Sequence, residues 1–154
     1  MDTLAKVTAL FTILSVSLAQ SSEAAASMYN ATYSGSSATA HVTISMDTSS
    51  LTGDFILLGT SHLESITMTV SGAVSGNGTF TKSDFNNFSF RSTQALDFTR
   101  EIVGQNGFAD FNFFGASPAP NGSVEFTLKA DGGSSDLMVL TSLAPVPEPS
   151  SAAP

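Results

Sequence analysis

A chain of 154 residues has room for one domain once targeting segments at its ends are set aside, and a hydrophobic content of 42% suffices for one core. The formal net charge is −8 and the pI is near 4.3, so five scattered Lys and Arg cannot build the basic footprint that nucleic acid or an anionic membrane surface requires. With no cysteine there is no disulfide framework, thiolate metal site or cysteine nucleophile.

In chain order, residues 1–26 read as a secretory signal peptide. Lys6 is the one positive charge, Val7 to Ala19 form the apolar run, and Ala24-Ala25-Ala26 supply the small-residue cleavage site. Cleavage is expected after Ala26, with Ala19 as the alternative. The apolar run is too short to span a bilayer comfortably, so no membrane span is expected in the mature chain.

From Ser27 to Leu143 the dominant hydrophobic period is two. Ala40, Val42, Ile44 and Met46 share one face of a strand whose other face carries His41, Thr43 and Ser45. The alternation returns over 66–71 and 124–129, and shorter apolar phrases follow at Phe88-Ser89-Phe90, Leu96-Asp97-Phe98, Phe111-Asn112-Phe113 and 137–140. Turns are expected at Thr52-Gly53-Asp54, 75–78, Gln105-Asn106-Gly107, Asn121-Gly122 and Asp131-Gly132-Gly133. Lys82 to Asn87 has room for one helical turn. Short strands punctuated in this way predict an all-β domain over 27–143, an antiparallel β-sandwich of jelly-roll or immunoglobulin-like type with roughly seven to ten strands. A barrel is the alternative. Charged residues are only 12%, against about 25% in an average domain. Ser, Thr, Gly and Asn carry the polarity instead, as in extracellular β-proteins.

Few residues are candidates for chemistry. His41 and His62 titrate near neutrality but need a convergent carboxylate to form an acid-base or metal site. Asp131 and Asp136 bracket an oxygen-rich turn of the kind a hard cation such as calcium accepts, but it matches no EF-hand loop or nonapeptide repeat and reads first as a solvated hairpin turn. No serine sits in a Gly-x-Ser-x-Gly elbow. Asp97, Glu101, Asp110 and Glu125 are the carboxylates a glycosidase would have to pair across a cleft, and the two that flank Arg100 read first as partners in surface ion pairs. For a sugar-binding module the stacking candidates are Tyr29 and Tyr33, near the mature N-terminus, and Phe111 and Phe113. Phe108, Phe111, Phe113 and Phe114 put rings on both faces of one segment, which is therefore either buried on both sides or exposes an apolar patch.

The tail from Ala144 to Pro154 holds four of the six prolines and reads as an extended linker. Within it, Val146-Pro147-Glu148-Pro149-Ser150, followed by Ser151-Ala152-Ala153, resembles the start of the PEP-CTERM sorting signal of Gram-negative bacteria. Gly78-Thr79-Phe80-Thr81-Lys82-Ser83-Asp84-Phe85 is similar to phrases in the secreted β-domains of that family. In the family the box precedes a membrane-spanning apolar helix and a basic tail, so here the signal reads as truncated after the box. The resemblance implies export to the cell surface or extracellular space, processing by an exosortase where the full signal is present, and association with exopolysaccharide in biofilm or floc. The reading is a non-enzymatic matrix or surface protein without a cofactor. A carbohydrate-binding or adhesive module is the alternative and a secreted hydrolase the third.

Overall fold

The computed structural model describes residues 27–51, 56–59, 62–115, 127–129 and 137–147. Nine strands run through them: β1 (Ser27–Ser34), β2 (Thr39–Met46), β3 (Ile56–Gly59), β4 (Leu63–Ser71), β5 (Gly78–Thr81), β6 (Phe85–Ser92), β7 (Phe108–Gly115), β8 (Thr127–Lys129) and β9 (Leu137–Pro145). They form a six-stranded sheet in the order β5-β4-β2-β1-β9-β8 and a three-stranded sheet in the order β3-β6-β7. Every pairing is antiparallel except β8 with β9. The two sheets share one core, so the domain is the all-β sandwich expected from the period-two pattern, and the described strands close no barrel.

Alternation decides which side chains enter that core. On β2 the residues Ala40, Val42 and Ile44 are buried while His41 and Thr43 face solvent, and on β4 Ile66, Met68 and Val70 are buried while Thr67 and Thr69 are exposed. β1 follows the same rule: Tyr29, Ala31 and Tyr33 point inward and Met28 and Asn30 outward. On the small sheet, Phe88 and Phe90 of β6 sit opposite Phe113 and Phe111 of β7. The Phe111 ring is the hub of this cluster, with centroids 6.0 Å from Phe88, 5.8 Å from Phe90 and 4.9 Å from Phe113, all edge-to-face. Such geometry sets the positive ring edge against the negative ring face.

A hydrogen bond crosses the core between the sheets. The Tyr33 hydroxyl, fully buried, donates to the Phe111 carbonyl oxygen at 2.7 Å. Burial, with the nearby Asp110 charge adding to it, pushes the Tyr33 phenol well above its ordinary pKa, so it remains a donor. Four residues earlier on β1, the Tyr29 hydroxyl makes a similar bond to the loop between β6 and β7, donating to the Phe98 carbonyl oxygen at 3.2 Å while the two rings meet edge-to-face.

The 93–107 loop corrects one expectation. Leu96-Asp97-Phe98 alternates like a strand but forms none, because the Asp97 carboxylate accepts from the Thr99 amide at 3.0 Å and the Thr99 hydroxyl at 2.6 Å. That side-chain turn offers the backbone an alternative to a ladder. Gln105 then clamps the loop, donating to the carbonyls of Asp97 and Glu101 at 2.8 and 2.7 Å and accepting from the Asp97 amide at 2.8 Å. Gly107 has φ +90°, and a Cβ there would come within 2.8 Å of Gln94 Cβ, so this closure requires glycine.

The loop straps the sheets together. Ile102 is fully buried and its amide donates to the Leu143 carbonyl oxygen on β9 at 2.8 Å. Beside it the Glu101 carboxylate accepts from the Leu143 amide and the Ser142 hydroxyl, both at 2.6 Å, and from the Val103 amide at 3.0 Å. Partial burial alone would raise the Glu101 pKa, but these hydrogen bonds outweigh it and hold the carboxyl below its usual range.

The expected helical turn over 82–87 is a single 3-10 turn at Lys82–Asp84, capped by the buried Asp84 carboxylate, which accepts from the Thr81 amide at 2.6 Å; strand β6 begins at Phe85. Composition assigns Ala144 and Pro145 to the linker, yet both belong to β9, opposite Asn30 and Tyr29. The Val146 amide extends the pairing, donating to the Met28 carbonyl oxygen at 2.8 Å. The expected turns at 52–54, 121–122 and 131–133, and residues 124–126 of the expected strand, lie outside the described residues.

Two outcomes follow from the inter-sheet bond and the strap. Tyr33→Phe is expected to cost about 1 kcal/mol and to lower the thermal midpoint by roughly 4 °C. Because folding raises the Tyr33 pKa, its contribution is complete below the unfolded value, about 10, and is lost as pH climbs from there towards the folded value. Denaturant titrations should therefore show a stability loss above that pH that is smaller in Tyr33→Phe than in the parent. Glu101 has the opposite sign: its stabilisation is present above the unfolded pKa and lost as pH falls through the lowered folded value. Glu101→Gln should be less stable than the parent at neutral pH, and the gap should narrow on acidification.

Candidate functional site

The outward residues of the large sheet form its most uniform surface. Strand register places Thr32, His41, Thr69 and Thr79 in one row across β1, β2, β4 and β5, and Asn30, Thr43, Thr67 and Thr81 in the next. Neighbouring strands lie about 4.8 Å apart and outward residues on one strand about 7 Å apart, so each row crosses roughly 14 Å of sheet. This grid follows from polar residues, mostly threonine, alternating with the buried Ala31, Val42, Met68 and Phe80 on β1, β2, β4 and β5.

Lateral contacts orient the grid. The Thr43 hydroxyl donates to Asn30 Oδ1 at 3.1 Å, which leaves the Asn30 amide hydrogens directed elsewhere. Thr69 and Thr79 hydroxyl oxygens stand 3.4 Å apart, and Thr32 Oγ1 stands 3.5 Å from His41 Nδ1. A shallow depression of about 410 Å³ lies over the first three strands, its floor set by Asn30, Thr32, His41, Thr43, Thr67 and Thr69. No carboxylate, ammonium or guanidinium lines it. Its chemistry is therefore hydrogen bonding through an amide, the His41 imidazole and hydroxyls that both donate and accept.

The stacking residues expected from the sequence are not at a surface. Tyr29, Tyr33 and Phe111 are at most 2% exposed and Phe113 is 7% exposed. Their rings build the core, so none of the four can stack on a sugar in this conformation. The choice posed by the Phe-rich segment resolves as burial on both sides at its centre. Phe111 and Phe113 face inward, while Asn112 and its cross-strand partner Ser89 are buried on the opposite face. Asn112 Nδ2 donates there to Asp110 at 2.5 Å. Phe114, at the strand's end, is 45% exposed.

The titratable groups are dispersed. His41 lies opposite Thr69, whereas His62 precedes Leu63, which lies opposite Met46. Five residues of strand separate these positions, roughly 17 Å. Among the carboxylates, Asp97 is held below its ordinary pKa first by the Thr99 hydroxyl, then by the Thr99 amide and by Arg100, whose Nε is 2.9 Å away. Glu101, which also flanks Arg100 in sequence, turns instead to β9. Asp110 serves Asn112 on the small sheet. These three carboxylates thus have separate local duties. Glu125, and the Asp131 and Asp136 proposed for calcium, lie outside the described residues, as do Glu148, Pro149 and Ser150 of the sorting motif. Among the described residues no three His, Asp or Glu side chains gather where they could hold a metal ion, and no helix is long and apolar enough to cross a membrane.

No single strand's sequence marks the hydroxyl grid as a site, because the grid exists only across strands. Its signal lies in the outward positions Asn30, Thr32, His41, Thr43, Thr67 and Thr69, which are all polar and include no Asp, Glu, Lys or Arg in an acidic chain. No family model, no curated protein and no solved structure matches this chain.

Proposed function

We propose that this chain is an exported, non-enzymatic β-sandwich protein of the cell surface or extracellular matrix of a Gram-negative bacterium, associated with exopolysaccharide. The observation that carries the reading is the placement of the domain's two ends. Met28 and Tyr29 of β1 follow closely on the expected signal-peptide cleavage point, and the chain leaves β9 beside them, where the Val146 amide bonds the Met28 carbonyl. The expected cleavage point and the Val146-Pro147 start of the sorting motif therefore lie beside each other, at one end of the β1–β9 pair. The low charge and Ser/Thr-rich polarity support the same route, and the resemblance of the tail to PEP-CTERM signals supplies the association with exopolysaccharide and the exosortase partner.

The alternative, a carbohydrate-binding or adhesive module, is favoured by one observation of its own: the uncharged hydroxyl grid on the large sheet. A secreted hydrolase has less support, since Asp97, Glu101 and Asp110 are each engaged in local structure.

Expression of the chain with its leader in a Gram-negative host tests the proposal. The expected product begins at Ser27 by N-terminal sequencing, or at Gln20 for the alternative site, and fractionates outside the cytoplasm with matrix polysaccharide. Recovery of the chain from the cytoplasm with residues 1–26 intact would overturn it.

A further inference from the structure

We infer that the outer face of the large sheet, centred on Asn30, Thr43 and Thr67 with Thr32, His41 and Thr69 alongside, is a binding surface for an extended, uncharged polysaccharide. The inference deepens the proposed association with exopolysaccharide and rests on that reading for its biological setting, though its chemistry is argued from the face itself.

Charge selects the ligand class. The chain carries a net charge of −8, yet the depression has neither an acidic nor a basic side chain other than the imidazole of His41. An acidic glycan, a nucleic acid or an anionic lipid headgroup would find no Lys or Arg there and would meet the field of an acidic protein. A protein partner, including a second copy of this chain, is a poor match for a different reason. The cores of protein interfaces are enriched in aromatic residues, Met and Arg and depleted in Ser, whereas this face presents threonine and asparagine. What remains is a neutral polyhydroxyl ligand, whose groups pair with donors and acceptors alike.

The mechanics of the face suit that ligand. β-Branched threonine has few χ1 choices on a strand, and the lateral contact between Thr43 and Asn30 restricts them further. Little rotamer freedom is then lost when a sugar chain settles. The hydroxyls repeat across neighbouring strands, as the hydroxyls of a polysaccharide repeat along its length. Individual contacts are weak, and affinity accumulates by occupying many equivalent registers along one polymer.

The test uses the secreted full chain in native affinity electrophoresis, with gels containing hydroxyethylcellulose or dextran as neutral glycans and alginate as an acidic one. The parent should be retarded by at least one neutral glycan and not by alginate. The triple variant Thr43→Val, Thr67→Val, Thr69→Val keeps side-chain shape and strand preference while deleting three hydroxyls, and its dissociation constant should rise on the order of tenfold or more. Ser36→Ala, in the β1–β2 connection, should bind like the parent, and thermal midpoints should show all variants folded. No retardation of the parent by either neutral glycan would overturn the inference, as would equal retardation of the triple variant or retardation confined to alginate. A parent that sediments as a dimer dissociated by the triple variant would assign the face to a second copy and likewise overturn it. Matrix fractionation of producing cells is scored separately. Association that persists in a triple variant unable to bind either neutral glycan would leave the export proposal standing and sink the role of this face. Neutral-glycan binding by a parent that never reaches the matrix would do the reverse.

Discussion

The hydrogen bond from the Tyr33 hydroxyl to the Phe111 carbonyl is the contact on which the arrangement of the two sheets depends. Apolar packing is non-directional, and two sheets covered with aliphatic and aromatic side chains could slide or rotate at small cost. A buried hydroxyl cannot slide, because leaving its acceptor strands a polar group in a dry interior. Tyr33 belongs to a central strand of the large sheet and Phe111 is the hub of the ring cluster on the small one. One bond therefore fixes the position of the cluster over the large sheet, and the Glu101–Leu143 strap fixes the edge.

The sequence pattern reports the fold through its alternation, and it does so best where a strand has one wet face. On β2 and β4 the inward and outward residues follow from period two alone. Tyr29 and Tyr33 obey the same period, with Met28, Asn30 and Thr32 as their polar or peripheral complement, but alternation alone does not tell an inward ring from one free to stack on a ligand. Nothing local shows that this segment is inserted between β2 and β9. That neighbour relation involves pairing across more than a hundred residues, from Tyr29 to Pro145.

Two further differences have local physical causes. Leu96 and Phe98 alternate with a polar residue as strand residues do, yet Asp97 captures the Thr99 amide and hydroxyl and converts the phrase into a turn. Ala144 and Pro145 have linker composition, but proline lacks only the donor, and at the last position of a strand that loss removes a single ladder bond. The hydroxyl grid was illegible for a more general reason. Each outward threonine is unremarkable on its own strand, and the surface exists only when register aligns four strands that sequence separates by loops of different length.

The common pole of the two chain ends has a mechanical consequence. β1 and β9 are antiparallel neighbours, so the start of β1 and the end of β9 lie side by side. A load applied between those ends would peel the strands apart one backbone bond at a time, the weakest direction in which a sheet can be pulled. A load applied through the β9 end alone has no such path, since no opposing force acts across the β1–β9 pair. The same β1–β9 pair is thus weak against a load applied between its two ends and unstressed by a load applied through one of them.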